Sequence, residues 1–264
     1  MRLVHTIAAA GLLLAIGFAI PRLCATEIPQ AERRSGYTFM SPDTKAIQDD
    51  DTANPGMLWV LDGEALWKRK NRHGGQGLRR LPRRHQRQHE GLSRRAIPPT
   101  TRRSDAPSIL NSALISAARK TRRRRRCPYE SRDLLALTAF VAQQSRGMPI
   151  TAGADLQLEP FVAKGRDTFM RRQGQLNLGC TNCHDDNWDK HLAGSAVTQA
   201  LPTGYPLYRL EWQSLGSLQR RLRNCMTGMR TQLYDYGAPE LVELELYLMS
   251  RAHDMPIETP AVRP

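Results

Sequence analysis

Two stretches of the chain repeat one pattern of apolar and polar positions without a gap. The first runs from Ser131 to Ile150 and the second from Ala238 to Ile257, an offset of 107 residues. Leu134, Leu137, Phe140 and Met148-Pro149-Ile150 fall on Leu241, Leu244, Tyr247 and Met255-Pro256-Ile257. Leu241, Leu244 and Leu248, joined by Leu246 and Tyr247, have the spacing of one buried helical face, so each stretch is predicted to be an amphipathic helix. Pro239 suits a first helical turn, Glu240 and Glu243 favour the positive end of the helix dipole, and Pro256 ends the helical run. A second pair of matches lies upstream of these helices. Gly63 and Trp67 correspond to Gly165 and Phe169 at an offset of 102 residues. Each half of the chain therefore opens on a glycine-and-aromatic helix and closes on an apolar helix that carries an aromatic residue.

A glycine on one helix lets a second helix approach closely, and the aromatic fills the crossing. This resembles the packing of the first and last helices of class I cytochromes c, and the resemblance covers both halves. The expected fold is all-α, with two cytochrome-c-like domains in tandem: residues 26–150 and residues 151–264. Residues 1–25 stand outside this scheme. Arg2 and His5 precede an apolar run from Thr6 to Ile20, and Leu23-Cys24-Ala25 ends it, the pattern of a secretory signal cleaved after Ala25. The run is short for a bilayer span, and no other run is long enough, so no membrane span is expected.

Charge alters the picture in one place. The chain carries a formal net charge of +14. Between Lys68 and Arg126 there are 20 Lys and Arg against only Glu90 and Asp105, which leaves the remainder of the chain mildly acidic. The basicity belongs to one segment, and an exported protein meets little nucleic acid, so no nucleic-acid partner is expected. A basic binding module acting through Lys68–Arg126 is the reading that this segment alone would support.

The chemistry lies in Cys180-Thr181-Asn182-Cys183-His184. Two thiols one helical turn apart can add to the two vinyl groups of haem, and the next residue then offers an imidazole to the iron. A redox dithiol would call for a βαβ context. Zinc would need further ligands, for which Asp185, Asp186 and His191 are nearest. Haem c on Cys180 and Cys183, with His184 as metal ligand, is the reading adopted. The residues leave the sixth iron ligand open among Met226, Met229, Met249, Met255 and Cys225. A thiolate would lower the potential and a thioether would raise it. Cys225 could also pair with Cys127 or remain an inert thiol.

The stretch from Pro202 to Arg230 resembles the SoxA family. The resemblance rests on Tyr208-Arg209-Leu210, Trp212-Gln213, Gly216 to Arg221, and Cys225, and extends to Ile257–Pro260 and to Asn54–Trp67. It implies that His184 and Cys225 are the axial ligands of the catalytic haem. It further implies that Cys225 is the reactive sulfur, held as a persulfide, and that Arg221 is the active-site arginine. If residues 216–226 are helical, Arg221 and Cys225 lie four apart on one face, where a guanidinium could hold a thiosulfate dianion. A solvated charged face shared with Arg220 and Arg223 is the other reading of that arginine. The implied activity is L-cysteine S-thiosulfotransferase, an oxidative conjugation of thiosulfate to a cysteine of the SoxYZ carrier. The implied partners are the haem subunit SoxX, SoxYZ and a cytochrome electron acceptor, in the periplasm. A periplasmic electron-transfer cytochrome without sulfur chemistry is the alternative.

Residues 75–126 depart from the resemblance. They contain almost no acid, a run of arginines from Arg122 to Arg126, and no clear periodicity. The offset of 102 places a first-half haem motif near position 78. There Gly77-Leu78-Arg79-Arg80-Leu81-Pro82-Arg83 can be encoded so that reading one base later spells Ala-Cys-Ala-Asp-Cys-His. Residues 111–118, read two bases later, likewise yield a cysteine near the counterpart of Cys225. We read 75–126 as an aberrant segment translated out of frame, which disrupts the first domain. One covalent haem is expected from this sequence, and a second only if the first-half motif is restored. Resequencing the gene should find codons able to spell that motif in the shifted frame; codons that cannot spell it would refute the reading.

Overall fold

The computed structural model describes residues 27–69, 127–152 and 156–264. The signal segment 1–25, the basic segment 75–126 and the position of the first-half motif lie outside the described residues. Seven α-helices are described: α1 (Pro42–Asp49), α2 (Gly56–Lys68), α3 (Arg132–Gln143), α4 (Glu159–Met170), α5 (Cys180–His184), α6 (Leu218–Gly228) and α7 (Pro239–Arg251). Serine hydroxyls cap three of them by accepting a backbone N–H: Ser41 from Thr44, Ser131 from Leu134 and Ser217 from Arg220.

The two helix pairs cross in the same way. Gly63 of α2 lies against the carbonyl of Ala136 on α3, where an added Cβ would come within 2.1 Å of the oxygen and 2.8 Å of the Phe140 Cβ. Gly165 of α4 repeats this against the carbonyl of Glu243 and the Cβ of Tyr247 on α7, again at 2.1 and 2.8 Å. The aromatics meet beside each crossing. Trp67 and Phe140 have ring centroids 6.1 Å apart, and Phe169 and Tyr247 5.4 Å. Phe169, Leu244, Tyr247, Leu248 and Leu218 form a buried cluster against which Cys180 packs, so the second crossing is also the floor beneath α5.

The repeated stretches are not helical to their ends. α3 stops at Gln143 and α7 at Arg251, before the shared Met-Pro-Ile. The two tails instead pair with each other in antiparallel fashion. Gly147 N donates to Ile257 O (2.8 Å), Ile257 N to Met148 O (2.9 Å), and Ile150 N to Met255 O (2.9 Å). Proline cannot donate to a helix, and Gly147 has φ +81°, so the chain leaves the helical path before the motif.

The described residues are also not all helical. β1 (His191–Leu192) pairs with β2 (Ser195–Ala196). β3 (Leu207–Arg209) pairs antiparallel with β4 (Ser214–Gly216) and parallel with β5 (Val262–Arg263). The hairpin turns through Gln213 at φ 49° and feeds through Ser217 into α6. The segment before α2 straps onto the second half. The Gln199 side chain accepts from Arg34 N (2.6 Å) and donates to Glu32 O (3.1 Å), and Gln48 Oε1 accepts from Val262 N (3.0 Å).

The Gly165 crossing supplies a direct test. Gly165→Ala puts a methyl into the Glu243 carbonyl, which can move only with the backbone of α7. The expected loss is about 1–3 kcal/mol in denaturant unfolding, as for overpacked cores.

Candidate haem and sulfur site

Helix α5 carries the Cys-x-x-Cys-His motif and is fixed at both ends. At its start, Asn182 Oδ1 accepts from Gly179 N (2.9 Å), and a Cβ on Gly179 would lie 2.8 Å from Met170 O. At its end, Asp185 forms an ion pair with Arg251 of α7 (Nη2–Oδ1, 2.6 Å), with side chains only 4% and 2% exposed. The Arg251 guanidinium also lies over the Phe169 ring at 4.7 Å. A buried pair of this kind is costly to break from one side, because the remaining charge is left without a partner. It locks the haem motif to the helix crossing.

His184 Nδ1 meets the carbonyl of Thr198 at 2.5 Å, which orients the ring so that its other nitrogen would be the one to ligate a metal. Cys225, on α6, is hydrogen-bonded to the His184 imidazole. The structure thus brings together the two residues that the resemblance names as axial ligands. Three sulfurs lie in one another's field, and their environments differ. Burial, with the charges of Cys225 and Cys183, pushes the Cys180 thiol up to about 12. Burial also raises Cys183. At Cys225 burial pulls upward too, but the His184 hydrogen bond and the positive charges of Arg221, His184 and Arg209 outweigh it and hold the thiol below its ordinary value. The donor set fits haem c: two thiols for covalent attachment, an imidazole oriented by a carbonyl, and a thiol of lowered pKa facing that imidazole.

The arginines of α6 divide into two kinds. Arg220 donates to Ser214 Oγ (3.2 Å) and covers Trp212 at 4.2 Å. Arg223 donates to the Tyr234 carbonyl and lies over Tyr236. The Arg221 guanidinium has neither a hydrogen bond nor an ion pair among the described residues, and its charge acts on Cys225, Tyr205 and Arg209. It therefore differs from its two neighbours, which are held by aromatic faces.

Other readings of the sequence fare differently. Met226 and Met229 are buried with Leu241, and Met249 and Met255 pack around Ile150 and Leu246. Cys127, Cys180, Cys183 and Cys225 are all free thiols, so Cys225 and Cys127 do not form a disulfide. Asp185 is committed to Arg251, and among the described residues no three His, Cys, Asp or Glu side chains are grouped to hold a bare metal ion. Sequence reasoning missed Tyr205, Arg209 and Trp212 as parts of the site, although all three stand in the stretch that carries the family resemblance. It also missed the Thr198 carbonyl and the Asp185–Arg251 pair, for which spacing holds no signal.

Fold and donor set together define a c-type cytochrome domain. Residues 164–257 match the family model described as SoxA/TsdA, cytochrome c domain. The chain is 33% identical to the L-cysteine S-thiosulfotransferase subunit SoxA of Rhodovulum sulfidophilum, over 88% of this chain and 80% of that protein. It is 29% identical to the subunit of the same name from Pseudaminobacter salicylatoxidans, over 89% and 82%. The crystal structure of SoxXA from P. pantotrophus superposes with a TM-score of 0.79 at 26% identity, covering 88% of this chain and 87% of that one. The chain belongs to the SoxA family, whose cytochrome c domain carries haem c.

One buried group under α6 gives a pH test. Glu245 of α7 is buried, and the equally buried Gln219 donates to it at 2.9 Å. Burial foremost, with the Gln219 hydrogen bond acting against it and the nearby Glu130 reinforcing it, raises Glu245 from 4.5 to about 8. The folded chain then holds a proton that the unfolded chain releases, so this group's contribution to stability is present below about 4.5 and is lost as pH rises towards about 8. Glu245→Gln should flatten the fall in denaturant stability between pH 5 and 8. An unchanged pH slope would show that Glu245 is not its source.

Proposed function

We propose that this chain is the haem-bearing subunit of a thiosulfate-conjugating enzyme, with Cys225 as its reactive sulfur and Arg221 as its anion-binding arginine. The observation that carries the reading is the placement of Cys225. Its sulfur faces His184, is held towards the thiolate, and has an unpaired guanidinium four residues away on the same helix. Cys180 and Cys183 would hold haem c covalently, and His184 and Cys225 would supply ligands to its iron. When bound, the haem supplies a one-electron acceptor beside the sulfur.

The reaction joins a thiosulfate dianion to a carrier cysteine thiolate. One S–S bond forms, two electrons leave to cytochrome acceptors, and the product is a cysteine S-thiosulfonate. Two sulfur nucleophiles cannot bond unless those electrons depart. Arg221 would hold the dianion beside Cys225 through charge-assisted hydrogen bonds. The α6 helix keeps the two side chains in register, and Ser217 fixes the start of that helix. The relatives' names support the activity, and the likeness to a SoxXA crystal structure supports a SoxX partner. SoxYZ is the carrier that this reading requires.

The organisation that we propose is a signal segment over 1–25, export to the periplasm, and tandem cytochrome-c-like domains over 26–150 and 151–264. The matched glycine crossings support the repeat. The second domain would carry one haem, and 75–126 would be the out-of-frame segment of the first.

Replacing Cys225 separates this reading from simple electron transfer. In Cys225→Ser, covalent haem should persist by mass and by Soret absorption, while thiosulfate-dependent turnover falls by at least about a thousandfold, the scale seen when a nucleophile is lost. Unchanged turnover would favour the electron-transfer cytochrome.

A further inference from the structure

We propose that Arg209 is a second cationic contact for the sulfonate end of the substrate, acting beside Arg221 as a specificity-determining residue. This role rests on the thiosulfate reading and falls to a strand residue that the reading leaves unused.

Arg209 closes β3, in register with Ser214 of β4 and Arg263 of β5. The same hairpin leads directly into α6, so Arg209 and the Arg221–Cys225 face belong to one continuous piece of chain. Arg209 is only 12% exposed, and its Nε is buried with no hydrogen-bond partner. Its single ion pair runs from Nη2 to Glu211 at 2.9 Å, and Glu211 is 61% exposed. An ion pair to so exposed a carboxylate holds weakly and can yield to a better anion. Trp212 fixes the guanidinium from one side at 5.3 Å, with Arg220 also over the same ring.

The charge balance of this corner needs an anion. Arg209 and Arg221 repel each other, and burial of Arg209 acts in the same direction, against its charged form. Other buried arginines of the fold have buried or nearly buried partners: Arg251 has Asp185, and Arg263 has Glu258 at 2.6 Å. Arg209 and Arg221 have no such partner among the described residues. Tyr205 completes the corner with a phenol raised to about 12, chiefly by burial, so it remains a neutral donor there. Two guanidiniums and a neutral hydroxyl beside the Cys225 sulfur suit a small dianion with a three-oxygen sulfonate head.

The test uses the haem-loaded complex with its partner subunit. Sodium thiosulfate is the substrate in turnover and the titrant in calorimetry. Arg209→Gln should raise KM and the calorimetric Kd together by about ten- to a hundredfold, the cost of one charge-assisted hydrogen bond. The kcat should fall by less than KM rises, and covalent haem content and Tm should be unchanged. Arg209→Lys should recover part of the affinity, and Glu211→Gln should leave it equal or tighter. Unchanged KM and Kd in Arg209→Gln would overturn the proposal, as would a loss matched by a fall in Tm and in covalent haem content. If wild-type complex turns over thiosulfate and Arg209→Gln behaves identically, this inference alone fails. If the wild-type complex neither binds nor turns over thiosulfate, the functional reading fails and this inference with it.

Discussion

The architecture depends on a backbone-to-backbone approach that only glycine permits. Gly165 sets α4 directly on the Glu243 carbonyl of α7, and the rings of Phe169 and Tyr247 seal the flank. Because α7 lies so close, Arg251 at its end reaches the Asp185 that follows the haem motif, and the Phe169 cluster supports Cys180. The position of the His184 imidazole therefore follows from a missing methyl group on a neighbouring helix. The first half contains the same crossing, built from Gly63, Ala136 and Phe140.

The environment of Cys225 shows how surrounding charges and one hydrogen bond can outweigh the effect of burial on a thiol. Burial alone would make all three cysteines of the site poor acids. The difference at Cys225 comes from the imidazole it faces and from guanidiniums delivered by two different elements, α6 and β3. The same arginines repel one another, so this corner of the fold gathers positive charge next to the Cys225 sulfur. An anionic substrate and a thiolate would ordinarily repel. In the proposed reaction, flanking arginines would offset that repulsion where it is greatest.

Much of this was legible in the residues, and the features that were missed share a physical pattern. The helices α2, α3, α4 and α7 were visible from apolar spacing and from the repeated glycine and aromatic positions, because these are properties of single residues at fixed intervals. The face shared by Arg221 and Cys225 was likewise a matter of spacing, although the helix proved to run over Leu218–Gly228 rather than 216–226. The strands β3 and β5 were not foreseen. They are only two or three residues long, and the parallel pairing joins segments more than fifty residues apart, which leaves no periodic trace. Asp185 and Arg251 are separated by 66 residues, and the contact with Thr198 uses a carbonyl that every residue possesses. The unlike fates of Arg220, Arg221 and Arg223 depended on which of them found an aromatic face, and a run of arginines does not reveal that.

The joined Met-Pro-Ile tails bear on where this chain can be divided. A boundary drawn at residue 150 falls between two halves of the repeat, yet Ile150 is wholly buried among Leu158, Leu201, Leu246 and Ala252 of the second half. Its amide and carbonyl bond to Met255 and Asp254. A fragment starting at residue 151 would therefore open a hole in its own interior and leave two main-chain partners unsatisfied. The natural unit of excision reaches back across the tail of the first half, so the halves are alike in pattern but not separable at the seam that their likeness suggests.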